Sequence, residues 1–221
     1  GLGALTQALR PHLDVLTLIE LDRDLAARWR HQDRVEVIEA DALQVDFQAL
    51  AQRLGRPLRV VGNLPYNIST PRLFRLIEQR EHISDMHFML QKEVVDRLAA
   101  GVGDSAYGRL GIMVQYYCAV EPLFLVPPTA FDPPPKVESA IVRLIPHAVP
   151  PVTTQSPREL GKLVTTAFNQ RRKTVRNALK SYADDRLLEQ AGINPEHRPE
   201  DISLAQYARL NDLVLAAADA E

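Results

Sequence analysis

Short β-branched runs alternate with helix-forming stretches over the first part of the chain, and each run stops at an acidic or amide residue. Residues 15–19 form an apolar run closed by Glu20-Leu21-Asp22. Residues 35–39 form the next, ending at Asp41, and Leu58-Arg59-Val60-Val61 is stopped by Gly62-Asn63-Leu64-Pro65. Residues 86–90 make a fourth strand. Between them, Asp22 or Asp24 caps a helix to about residue 30, and a second helix covers 47–54. Thr70-Pro71 opens a third with proline at its first position, running to about residue 79, and a fourth ends at Leu98. Strands spaced by helices of this length predict βαβ units and a parallel sheet, an α/β fold.

The pattern changes after Gly101. Gly101-Val102-Gly103-Asp104-Ser105 reads as a mobile loop and residues 107–118 as a helix. Ten of the 16 prolines lie from Pro122 to Pro157, although 123–126 and 140–145 keep strand character. Residues 146–157 read as a linker, and helices are predicted over 160–168, 173–182, 185–190 and 203–218. The expected organisation is an α/β domain over residues 1–148 and a small all-helical domain over 149–221.

No run approaches the ~20 apolar residues of a membrane-spanning helix. Cys118 is the sole cysteine, which excludes a disulfide framework and fits a reducing, cytoplasmic setting. The six histidines have no metal-ligand spacing, so no metal is expected, and nothing predicts more than a monomer. A formal net charge of −2 counts against a nucleic-acid binder until its distribution is examined. Residues 158–180 hold seven cations against the single Glu159, a local +6 that leaves −8 for the remainder. Within that segment Arg172, Arg176 and Lys180 follow i, i+4, i+8 spacing and would share one helical face, a phosphate-binding stripe or a solvated surface.

In an open parallel sheet, ligands bind beyond the carboxyl ends of the strands. Gly1-Leu2-Gly3 precedes the first helix, and Glu20 follows at the separation where an acid commonly takes a ribose diol. Asp41 can accept from an adenine amine. Together they suit an adenosine-containing cofactor, although carboxylates also end strands simply to meet solvent. Asn63-Leu64-Pro65-Tyr66 is the sharper signal. An exocyclic base amine is a poor nucleophile because its lone pair is delocalised into the ring. Two acceptors aimed at its hydrogens, the Asn63 side chain and the Leu64 carbonyl, draw that pair outward. Pro65 holds Leu64 extended, and Tyr66 offers an aromatic face to an unstacked base.

Longer motifs extend this reading. Residues 60–71 around Asn63, Met86-His87-Phe88-Met89-Leu90-Gln91-Lys92-Glu93, Ala106-Tyr107-Gly108-Arg109-Leu110, Phe131-Asp132-Pro133-Pro134-Pro135-Lys136 and Phe168-Asn169-Gln170-Arg171-Arg172-Lys173 recur in order. With them the chain closely resembles the small-subunit ribosomal RNA adenine N6,N6-dimethyltransferases, in wording that looks bacterial. The resemblance implies a Rossmann-like domain using S-adenosylmethionine to dimethylate two adjacent adenosines in a hairpin near the 3′ end of small-subunit rRNA. It implies a late role in ribosome biogenesis, with the immature small subunit as partner.

Carried over by motif, Gly1, Glu20, Leu21, Asp41, Ala42 and Asn63 contact the cofactor. Asn63, Leu64 and Tyr66 meet the target adenine, with Phe131 as its second aromatic wall. Arg171, Arg172, Lys173, Arg176 and Lys180 meet RNA. The family also carries an N-terminal arm and a first, central strand that precede the residues matching Gly1, so the native polypeptide is expected to exceed 24.8 kDa. Two other readings share parts of the pattern: an amino-methyltransferase acting on DNA or another RNA such as large-subunit rRNA, and a non-catalytic assembly factor.

Overall fold

The computed structural model describes residues 3–64 and 69–219. In chain order the helices and strands are α1 (Ala4–Leu9), β1 (Leu16–Glu20), α2 (Arg23–Trp29), β2 (Val35–Glu39), α3 (Phe47–Leu54), β3 (Leu58–Asn63), α4 (Ser69–Glu78), β4 (Ile83–Gln91), α5 (Lys92–Ala99) and α6 (Arg109–Tyr117). There follow β5 (Cys118–Val126), β6 (Ser139–Pro146), α7 (Pro157–Asn169), α8 (Val175–Ala178), α9 (Asp185–Gln190) and α10 (Leu204–Ala218). No helix among the described residues is long and apolar enough to cross a membrane.

β1 and β2 pair in parallel, with Glu20 opposite Glu39. β3 to β6 form a second sheet in the order β3-β4-β6-β5, parallel between β3 and β4 and antiparallel on both sides of β6. The sheet is therefore mixed rather than parallel throughout. The chain passes from β5 to β6 through a proline-rich loop without a crossover helix, and only antiparallel strands allow that. β5 begins at Cys118, five residues before the strand expected from sequence, and carries Pro122. That proline is accommodated because β5 is an edge strand with a register shift between Pro122 and Phe124. Among the described residues β1 and β3 share no ladder.

Two apolar cores form. Phe47, Leu50, Leu73, Ile77, Met86, Phe88, Leu90 and Leu144 build the first, with Ile19 and Ile38 packed against it, so both sheets share one core. The second gathers Leu160, Leu163, Leu179, Leu188, Tyr207 and Leu210. α6 is the wall between them, giving Leu110 and Val114 to the first and Ile112, Met113 and Tyr116 to the second. It can lie this close to α5 only because residue 111 is glycine: a Cβ there would fall 2.4 Å from the Arg97 carbonyl oxygen. Gly111→Ala is expected to cost about 2 kcal/mol by overpacking, read as a lower denaturant midpoint. An unchanged midpoint would mean that α5 and α6 separate freely.

Three expectations change. Residues 101–105 are tied down: the Gly101 N–H donates to Asp104 Oδ2 (2.8 Å), the Gly103 N–H to the Glu200 carbonyl (2.9 Å), and Arg171 Nη2 to the Ser105 carbonyl (2.7 Å). Their Gly-Asp-Ser composition encodes a turn rather than mobility. The linker is laid along α10, with Thr154 Oγ1 and the Gln155 N–H both donating to Asp212 Oδ1 (2.6 and 2.9 Å). The helix expected over 173–182 shrinks to the four residues of α8. There the Val175 and Arg176 N–H groups donate to the carbonyls of His197 and Pro195 (2.7 and 3.1 Å), so tertiary partners replace the local helical ladder.

Candidate active site

The carboxyl ends of β1, β2 and β3 carry the residues singled out from sequence. Asp22 caps α2, its Oδ1 accepting from the Asp24 and Leu25 N–H groups (2.9 and 3.0 Å). Glu20, one step back on the strand, is left to face the strand end, with Oε1 accepting from the Asp22 N–H (3.1 Å). Burial works against ionisation of Glu20, but backbone hydrogen bonds from Asp22 and Leu21 are among the groups that outweigh it and hold its carboxyl below the usual carboxylate range. Leu21, beside it, is 63% exposed, an apolar side chain presented at a strand end. Asp41 and Ala42 are half-buried just beyond β2. Asp41 Oδ1 accepts from the Leu43 N–H (3.0 Å), a turn that leaves Oδ2 available.

Gly3 brackets the same end from the first helix. Its φ of +87° is one that L side chains rarely adopt, and a Cβ would fall 2.0 Å from the Trp29 ring. The second glycine of Gly1-Leu2-Gly3 thus has a packing reason. Gly1 itself lies outside the described residues.

Asn63 is the last residue of β3, opposite Met89 on β4. Its amide is exposed and makes no hydrogen bond among the described residues. Leu64 packs against the first core and so fixes the chain direction at that point. Pro65 and Tyr66 lie outside the described residues. Phe131 is half-buried in the loop between β5 and β6. Gln91 pairs with Ser139, and the Lys92 N–H donates to the Glu138 carbonyl (2.9 Å). These contacts bring that loop to the carboxyl edge of β4, the edge at which Asn63 emerges.

Sequence reading missed the struts that tie the turn after β2 to α4. Arg75 Nε on α4 donates to the Leu43 carbonyl (3.2 Å). Gln79 spans the same gap, its Nε2 donating to the Val45 carbonyl (3.2 Å) and its Oε1 accepting from the Phe47 N–H (2.7 Å). The turn bearing Asp41 is thereby held to the helix that follows Asn63. No local pattern marks such polar residues at the end of an amphipathic helix.

The basic segment divides in the structure. Arg171 is occupied by the Ser105 carbonyl and lies 3.6 Å from Glu200. Arg176 pairs with Asp185 (2.8 Å) and with Glu196. Arg172, Lys173 and Lys180 are exposed and have no carboxylate partner among the described residues. The stripe expected from i, i+4, i+8 spacing is not formed, because α8 spans only Val175–Ala178.

A parallel pair of strands ending in acids, beside a mixed four-stranded sheet whose first strand ends in an amide, makes this an α/β fold of the Rossmann-like methyltransferase class. A profile of ribosomal RNA adenine dimethylases matches residues 1–215. The chain belongs to that family. It is 54% identical over 214 residues to the ribosomal RNA small subunit methyltransferase A of Cronobacter sakazakii, covering 95% of this chain and 78% of that protein. The protein of the same name from Klebsiella pneumoniae is 53% identical over 211 residues, 94% of this chain and 77% of the other. A solved dimethyladenosine transferase from Plasmodium falciparum superposes with a TM-score of 0.74 at 27% identity, over 95% of this chain and 85% of that one. The 23S rRNA methyltransferase ErmE, at 24% identity over 97% of this chain and 87% of the other, shares the fold with a TM-score of 0.70.

Proposed function

We propose that the protein transfers methyl groups from S-adenosylmethionine to the N6 amines of two adjacent adenosines near the 3′ end of small-subunit rRNA, acting on the immature small subunit. The observation that carries this reading is Asn63, an exposed amide at the end of β3 with no hydrogen bond among the described residues, alongside Glu20 at the end of β1 and Asp41 just beyond β2. The donor set fits an adenosine-containing cofactor: an ionised acid, an exposed leucine and a second acid with one oxygen spoken for.

When bound, S-adenosylmethionine supplies a methyl group already activated on a sulfonium. The chain's own residues do the rest. Glu20 accepts from the ribose hydroxyls, Leu21 and Ala42 flank the adenine apolar faces, and Asp41 accepts from its amine. The family motif assigns Gly1 to the cofactor loop. Asn63 Oδ1 and the Leu64 carbonyl accept the two N–H groups of the target amine and return its lone pair to nitrogen. Tyr66 and Phe131 sandwich the extruded base, which offsets part of the few kcal/mol that unstacking costs.

In this reading residues 1–148 form the catalytic domain and 149–221 the RNA-contacting domain, where Arg171 and Arg176 order the segment and Arg172, Lys173 and Lys180 meet phosphates. Charge reversal at Arg172 and Lys173 is expected to weaken RNA binding and to lower the slope of log K against log salt by about two. Equal slopes for variant and unaltered protein would remove the segment from the interface.

Function is tested by offering tritiated S-adenosylmethionine with immature small subunits, large-subunit rRNA or DNA. Label in small-subunit rRNA alone supports the proposal. Label in another acceptor selects that amino-methyltransferase reading, and binding without label selects an assembly factor.

A further inference from the structure

A cleft of about 570 Å³ opens between α4, α6 and α7, within the size range of ligand-binding pockets. Four cations from three stretches of chain line it: Arg80 before β4, Arg109 at the start of α6, and Arg158 and Lys162 on α7. Among the described residues Glu78 is the one carboxylate in the lining, and it is paired with Arg75 (3.2 Å). Lys162 is matched by Glu159 (2.8 Å), and the Arg80 guanidinium lies 4.7 Å from the centre of the Tyr117 ring. Arg109 and Arg158 are exposed and have no carboxylate partner among the described residues. Half-buried aromatic side chains, Phe74 and Tyr182, complete the walls. Arg109 and Arg158 leave uncompensated positive charge beside aromatic walls, so this lining favours an anion that brings an apolar ring with it.

The cleft is separate from the methyl-transfer edge. α4 leaves the carboxyl edge of β3 and rises about 14 Å from Ser69 to Glu78, nine residues on. Arg80 then precedes β4, whose first residue, Ile83, pairs with Leu58 at the start of β3. The cleft therefore lies toward the amino edge of the sheet, and the target adenosine cannot occupy it while its amine meets Asn63.

We infer that this cleft seats one unpaired nucleotide of the RNA outside the target pair, its phosphate held by Arg109 and Arg158 and its base against Tyr182. The inference rests on RNA being the substrate. It also gives the basic segment a second role, since Arg158 and Lys162 serve the cleft while Arg172 and Lys173 lie beyond the end of the same helix. Gly161 lines the cleft, and a Cβ there would lie 3.5 Å from Met113 Cε, an ordinary contact, so a side chain at this position starts without a clash.

The test compares Arg109→Gln/Arg158→Gln and Gly161→Leu with the unaltered protein. A labelled single-stranded RNA of about ten nucleotides, and the same strand annealed to its complement, are titrated at several salt concentrations. The arginine variant is expected to lose about tenfold in single-strand affinity, with the salt slope falling by about 1.4. Gly161→Leu should lose about fivefold with an unchanged slope, the size of effect expected for a displaced stacking contact. Both should bind the duplex as the unaltered protein does and keep its thermal midpoint. Single-strand binding equal to that of the unaltered protein in both variants overturns the inference, as does an equal loss for duplex and single strand. Displacement of the strand by adenosine 5′-monophosphate at equal concentration overturns the RNA assignment in favour of a free nucleotide. Methyl transfer to rRNA, measured on the same preparations, keeps the two readings distinct. Active protein with an indifferent cleft defeats only the inference, and inactive protein with a strand-binding cleft defeats only the proposed function.

Discussion

Asn63→Ala is expected to reduce the rate of methyl transfer by about a hundredfold or more while leaving RNA affinity within a factor of about two. The target amine reacts only as its lone pair returns to nitrogen. An acceptor that strengthens as positive charge develops there acts in the transition state more than in the ground state, so its loss falls on kcat rather than KM. Asn63 is exposed at the end of β3, and its side chain supports no other described residue. Truncation therefore leaves the fold intact, and the thermal midpoint serves as the control. Asn63→Asp, with a full negative charge beside the amine, should retain more activity than Asn63→Ala. Single-turnover transfer separates chemistry from product release. A variant as fast as the unaltered protein would show that the amide is not an acceptor for the reacting nitrogen.

The second large effect is on stability. Asp85 sits inside β4 with its side chain 3% exposed, and it accepts from guanidiniums on both neighbouring strands. Arg59 Nε and Nη2 donate to its two oxygens (2.7 and 2.9 Å), and Arg143 Nη2 donates to Oδ2 (2.9 Å). Arg143 in turn reaches Glu121 on β5 (3.4 Å), so one charged ladder crosses all four strands of the sheet. Asp85→Ala removes the shared acceptor and should cost about 3 kcal/mol, the lower end for a broken buried pair. The lower end applies because Arg59 is 65% exposed and can turn to water. Arg59→Ala alone should cost under about 1 kcal/mol.

The pH dependence has a definite sign. The Arg59 hydrogen bond, with Arg143 adding to it against burial, holds the Asp85 carboxyl below the usual carboxylate range. Its contribution is then complete above the unfolded value near ~3.9 and is lost as pH falls through the lower folded value. Asp85→Asn should flatten the acid limb of the stability profile. Parallel profiles for variant and unaltered protein would assign the acid limb to other carboxylates.

The α/β half of the chain is legible because its period, caps and stops agree with one another. The runs stopped at Glu20 and Asn63 become strand ends, Asp41 falls two residues beyond β2, and Asp22 becomes the cap of α2. Where tertiary partners decide, local reading fails. The Arg172–Arg176–Lys180 spacing is helical on paper, yet the carbonyls of Pro195 and His197 take the N–H groups that open α8. Arg176 becomes a structural ion-pair residue because Asp185 and Glu196 approach it from elsewhere in the chain. Asp85 falls outside the strand expected over 86–90, because β4 starts three residues earlier, and its arginine partners emerge only with the sheet order. The Arg80–Arg109–Arg158–Lys162 cleft left no trace in sequence because its cations come from distant segments.

The central claim is the chemical identity of the product. Immature small subunits are incubated with the protein and labelled S-adenosylmethionine, and the rRNA is digested and resolved as nucleosides after mapping to its 3′ region. The account predicts label in N6,N6-dimethyladenosine at two adjacent positions, with N6-monomethyladenosine appearing only early. Label confined to another nucleoside or another region, or no label from protein that binds both cofactor and subunit, would contradict it.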